Sequence, residues 1–156
     1  MAEDIYYAAA TKLAEHIRTK ALSPVEVMRV HLDRIEAINP KINAVVTLAE
    51  DALERARAAE EAVVRGQIKG PLHGVPFTAK DCFDTQSVRT TRGSKLFAEH
   101  IPNADATAVR RLKEAGAILI GKTNLPEFAL RAETVNLLFD RTLNPWNTDR
   151  TAGGSS

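Results

Sequence analysis

Lys80 is the first side chain in this sequence whose setting suggests chemistry. It closes Gly70-Pro71-Leu72-His73-Gly74-Val75-Pro76-Phe77-Thr78-Ala79-Lys80-Asp81, where glycines and prolines punctuate a loop that runs into a short apolar segment. Val75, Phe77 and Ala79 alternate with Pro76, Thr78 and Lys80, which predicts a strand that delivers a lysine out of a hydrophobic setting. Desolvation favours the neutral amine, and a neutral amine can act as a general base near neutral pH. The commoner fate of a lysine is a packed stem with its ammonium in water, so this stretch alone does not decide its role. The other end of the chain, Gly153-Gly154-Ser155-Ser156, reads by itself as a flexible tail.

Other chemistry-bearing residues form no constellation. Cys82 is the only cysteine, so neither an intrachain disulfide nor a cysteine-based metal site can be assembled within one chain. His16, His31, His73 and His100 are scattered without ligand spacing, and nothing calls for a metal or organic cofactor. His31 is expected to be packed or partly exposed on or beside a helical stripe, and His73 to pack in the loop before Lys80. Gly116-Ala117-Ile118-Leu119-Ile120-Gly121-Lys122-Thr123 matches the phosphate-binding P-loop letter for letter. A true P-loop has a strand before its first glycine, a flexible cradle and a helix from its lysine. Here a helix precedes Gly116, the cradle is an apolar strand and Asn124-Leu125-Pro126 follows, so the match is read as chance.

The elements that must position Lys80 are legible in outline. Residues 5–20 are predicted helical, with Ile5, Leu13 and Ile17 on one side. Ser23, Pro24 and Glu26 form the start signal of a second helix, which should end before Asn39-Pro40. A strand is expected over residues 43–48, then a charged helix ending at Gly66. Residues 85–94 are polar and aperiodic, a loop that lines a pocket or crosses the surface. Asp105 is a candidate cap for a helix that stops at Gly116, and Ala117 to Ile120 reads as a buried strand. Asn124 is a candidate cap for a short helix through Leu130, and Trp146 is expected to be a packing anchor. Helix followed by buried strand, more than once, argues an α/β fold with a partly parallel sheet. A helical region over 1–66 and an α/β core over 67–156 are the expected divisions.

Bulk properties exclude several classes. Twenty-one basic against 20 acidic residues leave a net charge of +1, which gives no electrostatic case for nucleic acid or an acidic membrane. There is no basic-then-apolar leader and no uncharged apolar run long enough for a bilayer, so a cytoplasmic protein is the expectation.

Taken together, Gly-Val-Pro-Phe-Thr-Ala-Lys-Asp, Gly-Lys-Thr-Asn-Leu-Pro-Glu-Phe, Asn-Pro-Trp and Gly-Gly-Ser-Ser resemble the amidase signature family, in the same order and at compatible spacing. The resemblance extends over nearly the whole chain and implies a mixed, largely parallel sheet with helices on both faces, of which this is the N-terminal part. It also implies a Ser-Ser-Lys hydrolase. Lys80 matches the catalytic lysine and Ser155 the bridging serine, which the family holds at a cis peptide bond; Ser156, Gly153, Gly154 and Asp81 take supporting places. The chemistry is coherent, because a serine becomes a nucleophile only when a base takes its proton, and a second hydroxyl can relay that proton to a lysine.

Two departures matter. Ala152 stands where many members carry proline, and the family's acylated serine lies further along than residue 156. The resemblance therefore implies an amidase acting on a small linear amide, with these 156 residues inactive alone. The missing part of the enzyme, or a second copy, is the partner it implies. Two alternatives stand beside it: the A-type component of a glutamine-dependent aminoacyl-tRNA amidotransferase, and a non-catalytic interaction module. Leu125-Pro126-Glu127-Phe128 and Arg131-Ala132-Glu133 look more like a stand-alone amidase.

Overall fold

The computed structural model describes residues 5–154; Ser155 and Ser156 lie outside the described residues. In chain order the principal elements are α1 (Ala10–Arg18), α2 (Pro24–Ile42), β1 (Val45–Leu48), α3 (Ala52–Val64), β2 (Pro76–Lys80), α4 (Thr107–Glu114) and β3 (Ile118–Thr123). Four short strands follow: β4 (Val135–Asn136), β5 (Asp140–Arg141), β6 (Leu143–Asn144) and β7 (Asn147–Thr151).

The central sheet has the order β1-β3-β2 and is mixed. β1 runs antiparallel to β3, pairing Thr47 with Lys122 and Leu48 with Gly121. β2 runs parallel to β3. Ile118 N donates to Val75 O (2.9 Å) at one end and Asp81 N to Thr123 O (3.0 Å) at the other, so the partners advance together. Gly121 is required here, because a Cβ would stand 2.7 Å from Thr47 O. The fold is thus of the α/β class, with one parallel and one antiparallel pairing around β3.

The chain packs as two compact units, each discontinuous in sequence. One comprises residues up to Arg34, Ala49–Phe77 and Arg110–Ile120; the other comprises Ile35–Leu48, Thr78–Val109 and Gly121 onward. Neither coincides with residues 1–66 or 67–156, because β2, β3, α2 and α4 each run from one unit into the other.

The first unit is held by apolar burial. Leu13, Ala14 and Ile17 recur at helical spacing on α1 and pack with Ile5, Val27, Val63 and Val75. Each large aliphatic side chain so buried contributes about 1.5–3 kcal/mol. The start of α2 follows its sequence signal: Glu26 N donates to Ser23 Oγ (3.0 Å) and Val27 N to Ser23 O (3.0 Å). α3 closes as expected with Gly66 in the left-handed region at φ 73° and Gln67 N on Ala62 O (2.8 Å).

Three expectations need correction. α2 runs past Asn39-Pro40 to Ile42, and the Asn39 side chain ties the chain leaving the helix back to its last turn. Asn39 Oδ1 accepts from Ala44 N and Val45 N (both 2.8 Å) and Nδ2 donates to Val45 O (2.8 Å), offsetting the lost proline donor. Trp146 is no packing anchor: it sits in the β6–β7 turn, 95% exposed, with its backbone N–H on Asn144 Oδ1. Asn124 starts no α-helix. It is buried, and only a 3₁₀ turn, Glu127–Ala129, follows, with Phe128 and Ala129 at φ 51° and 60°.

Among the described residues, no helix is long and apolar enough to cross a membrane.

Candidate active site

β2 delivers Lys80 at its last position, half-buried. A turn follows immediately: Phe83 N donates to Lys80 O (3.0 Å), so Lys80 opens the four-residue turn Lys80-Asp81-Cys82-Phe83. Asp81 still pairs with β3 through its N–H, and its own carbonyl accepts from Arg92 N (3.0 Å). Successive residues of extended chain project to opposite sides, and here the environments differ accordingly: Asp81 is wholly buried while Lys80 is not.

The Asp81 carboxylate is the hub of the second unit. Its Oδ2 accepts from Thr91 N (2.9 Å) and Thr91 Oγ1 (2.6 Å). Its Oδ1 stands 3.5 Å from Lys122 Nζ, an ion pair in which neither side chain meets solvent, and has no hydrogen-bond partner among the described residues. Lys122 Nζ donates to Phe83 O and Thr90 Oγ1 (both 2.7 Å). Burial pushes the Lys122 amine below the ordinary lysine range, and the Asp81 carboxylate opposes that shift.

Sequence reasoning passed over Lys122. The lysine taken wholly out of water is the one inside the chance P-loop match, where it lies within β3 with its amine committed to Phe83 and Thr90. Its signal was the one that marked Lys80, a lysine leaving an apolar strand. The polar stretch 85–94 was likewise underread. Thr85, Thr90, Thr91 and Ser94 are all buried, two of them on the Asp81–Lys122 pair. Arg92 turns the other way, with Nη2 on Asp84 (3.2 Å) and its guanidinium over the Phe97 ring (4.6 Å).

A second polar network positions the last described residues. Gly153 O accepts from Thr134 N (2.8 Å) and Thr134 Oγ1 (2.8 Å). Gly153 lies at φ 85°, and Gly154 passes so close to the 131–133 backbone that a Cβ would stand 3.1 Å from Arg131 O and from Glu133 N. Thr134 is kept in place by β4, where the buried Asn136 amide donates to Asn124 Oδ1 and Leu125 O and accepts from Leu138 N and Phe139 N. Asn124 in turn donates to Thr142 Oγ1 (3.0 Å). A cavity of about 250 Å³ adjoins Gly153, and the side-chain polar atoms of Asn124, Thr134 and Thr142 that line it are already hydrogen-bonded.

Lys80, Asp81, Gly153 and Gly154 thus belong to one unit, each fixed through its own or its neighbours' backbone. Ser155 and Ser156 follow directly, outside the described residues.

The histidines pack. His31 Nδ1 bonds Val27 O (2.8 Å); His73 accepts from Lys69 N at Nδ1 (3.1 Å) and bonds Ala59 O through Nε2 (3.0 Å). Among the described residues, no three His, Cys, Asp or Glu side chains are grouped to hold a metal ion.

Comparison with known proteins bears on this arrangement. The family model "Amidase" matches residues 26–156, which takes in both Lys80 and the Gly-Gly-Ser-Ser end. The chain belongs to the amidase family. The A-type component of the glutamyl-tRNA(Gln) amidotransferase of Carboxydothermus hydrogenoformans is 47% identical over 154 residues, covering 98% of this chain and 32% of that protein. Indoleacetamide hydrolase of Bradyrhizobium diazoefficiens is 46% identical over 149 residues, covering 95% of this chain and 28% of that one. A bacterial aryl acylamidase of the amidase signature family superposes with a TM-score of 0.90 at 33% identity, over 96% of this chain and 32% of its own. The chain spans about a third of the length of the amidase relatives it matches first.

Proposed function

We propose that the protein carrying this sequence hydrolyses a linear carboxylic amide to acid plus ammonia or amine through an acyl-serine intermediate. Lys80 is the general base, Ser155 relays the proton, and the acylated serine is supplied from outside residues 1–156, as the family pattern has it. Lys80 takes the proton of the attacking serine by way of the Ser155 hydroxyl. The same route returns it to the leaving amine, and water then releases the acid. Gly153 and Gly154 hold the backbone that presents Ser155, and Asp81 fixes the turn that carries Lys80. The observation that supports this reading is the family match from residue 26 to 156, a span in which Lys80 and Ser155 both fall. A small amide is the substrate class, and the single Cys82 fits a cytoplasmic setting.

A second reading is the A-type component of a tRNA-dependent amidotransferase, favoured by the 47% identity to such a protein. It keeps the same amide-cleaving chemistry, applies it to glutamine and requires a partner protein. The test is to express the complete reading frame that contains this sequence. Release of ammonia or amine from indole-3-acetamide, p-nitroacetanilide and glutamine is then measured, with and without co-purifying proteins. Partner-free hydrolysis that disappears in Lys80→Ala and Ser155→Ala supports the hydrolase. Turnover of glutamine alone, and only with a partner, supports the amidotransferase. Full turnover by Lys80→Ala contradicts both.

A further inference from the structure

Lys122 lies outside the proposed proton relay, yet it is the most thoroughly buried cation among the described residues. An ammonium is taken out of water only where something compensates, and three partners do so here. Nζ donates to Phe83 O (2.7 Å), the last residue of the Lys80–Phe83 turn, and to Thr90 Oγ1 (2.7 Å) on the returning loop. It also stands 3.5 Å from Asp81 Oδ1, on the second residue of the same turn. A single ammonium therefore ties down two of the four residues of the turn that Lys80 opens, together with Thr90 on the loop that returns to it.

The consequence for Lys80 is directional. Asp81 is paired with β3 through its N–H and drawn into the core by Lys122 and Thr91, and exposure alternates along this stretch, with Thr78 exposed, Ala79 buried, Lys80 half-buried and Asp81 buried. With Asp81 turned inward, Lys80 faces the other way. We propose that Lys122 is a positioning residue for Lys80: its ammonium holds the Asp81 carboxylate and the Phe83 carbonyl, and through them the turn that aims the Lys80 amine. The catalytic part of this inference rests on the reading of Lys80 as the general base; the positioning part does not.

The experiment is site-resolved competitive acetylation with acetic anhydride on the protein from its complete reading frame, read by mass spectrometry well below the melting temperature. Parent and Lys122→Met are compared, with Lys12, an exposed lysine of α1, as internal reference. Release of the turn raises Lys80 labelling relative to Lys12 by about fivefold or more in Lys122→Met, the response of a locally freed segment. A ratio unchanged within about twofold overturns the proposal, because a role confined to global stability lowers the melting temperature without moving that ratio. Where Lys122→Met does not fold, the double variant Asp81→Asn/Lys122→Met, which buries no unpaired charge, is held to the same two outcomes. In turnover of the fastest of the three amides above, Lys122→Met loses about tenfold or more in kcat with KM within about threefold, the pattern of a misaimed group. An unchanged kcat beside an inactive Lys80→Ala overturns the catalytic part. An active Lys80→Ala instead overturns the base reading and leaves the labelling ratio to decide positioning.

Discussion

The two compact units are built on opposite principles. Prolines aside, every buried apolar side chain among the described residues except Ala79, Val109 and Leu125 lies in the first unit. Every buried polar one except His73 lies in the second. The first unit is a hydrophobic core whose stability follows area and volume. The second is a set of interlocked hydrogen bonds around Asp81, Lys122, Asn124 and Asn136, and it holds Lys80, Gly153 and Gly154. A non-directional core tolerates small shifts, whereas a network is right only when each member is met. The unit that holds the proposed general base is the one with directional bonds.

The contrast is sharpest at the buried ion pair. Lys122→Met leaves the Asp81 carboxylate buried without its countercharge and should cost about 3–5 kcal/mol, while Asp81→Asn/Lys122→Met should recover most of it. Chemical denaturation of the parent, Lys122→Met, Asp81→Asn and the double variant checks both. Additive costs in the double variant would mean that the two groups do not interact.

Lys122 also sets a pH dependence. Its amine titrates below the ordinary lysine value of 10.5 in the folded protein, chiefly through burial. The unfolded chain then binds more protons between the depressed folded value and 10.5, so stability rises with pH across that interval. The burden on the charged form is fully present below the folded value and gone above the unfolded one. The stability difference between parent and Lys122→Met, measured as pH rises through that interval, should shift in favour of the parent; a flat difference contradicts this.

Shape-conserving changes separate the units further. Thr91→Val keeps the volume but removes the hydroxyl that donates to Asp81 Oδ2 and accepts from Gly93 N, and should cost about 2 kcal/mol. Ile17→Val, in the apolar cluster, removes one methylene and should cost about 1 kcal/mol. Urea midpoints rank the two, and the reverse order would break the contrast. At the bottom of the scale, uncoupling the exposed Arg110–Glu114 pair of α4 should cost about 0.3–0.5 kcal/mol by a double-mutant cycle.

The same contrast explains what could be read in the sequence. Periodicity reports apolar faces, so α1, the Ser23 start of α2, the Gly66 and Gly116 stops and the buried strand β3 were all legible. The β2 strand that ends at Lys80 was legible from its alternation. Networks leave no period. Thr90 and Thr91 read as a loop that lines a pocket or crosses the surface because their partners, the Lys122 amine and the Asp81 carboxylate, are 32 and 10 residues away in sequence. Asn124 looked like a helix cap because an amide serves as readily at a cap as in a buried network. Trp146 was misjudged because a lone tryptophan usually packs, and its place in the β6–β7 turn is fixed by Asn144. Lys122 was set aside together with the P-loop match that contained it, although a lysine within an apolar strand carries the same physical question as Lys80.

The central claim is that Lys80 drives acylation of a serine by an amide. Rapid-quench intact-mass analysis of the protein from its complete reading frame, mixed with its fastest amide, tests it most directly. The expected result is an adduct of the acyl mass in the first turnover of the parent, formed at least about a thousandfold more slowly in Lys80→Ala. Turnover without an adduct, or an adduct formed by Lys80→Ala at the parent rate, contradicts the account.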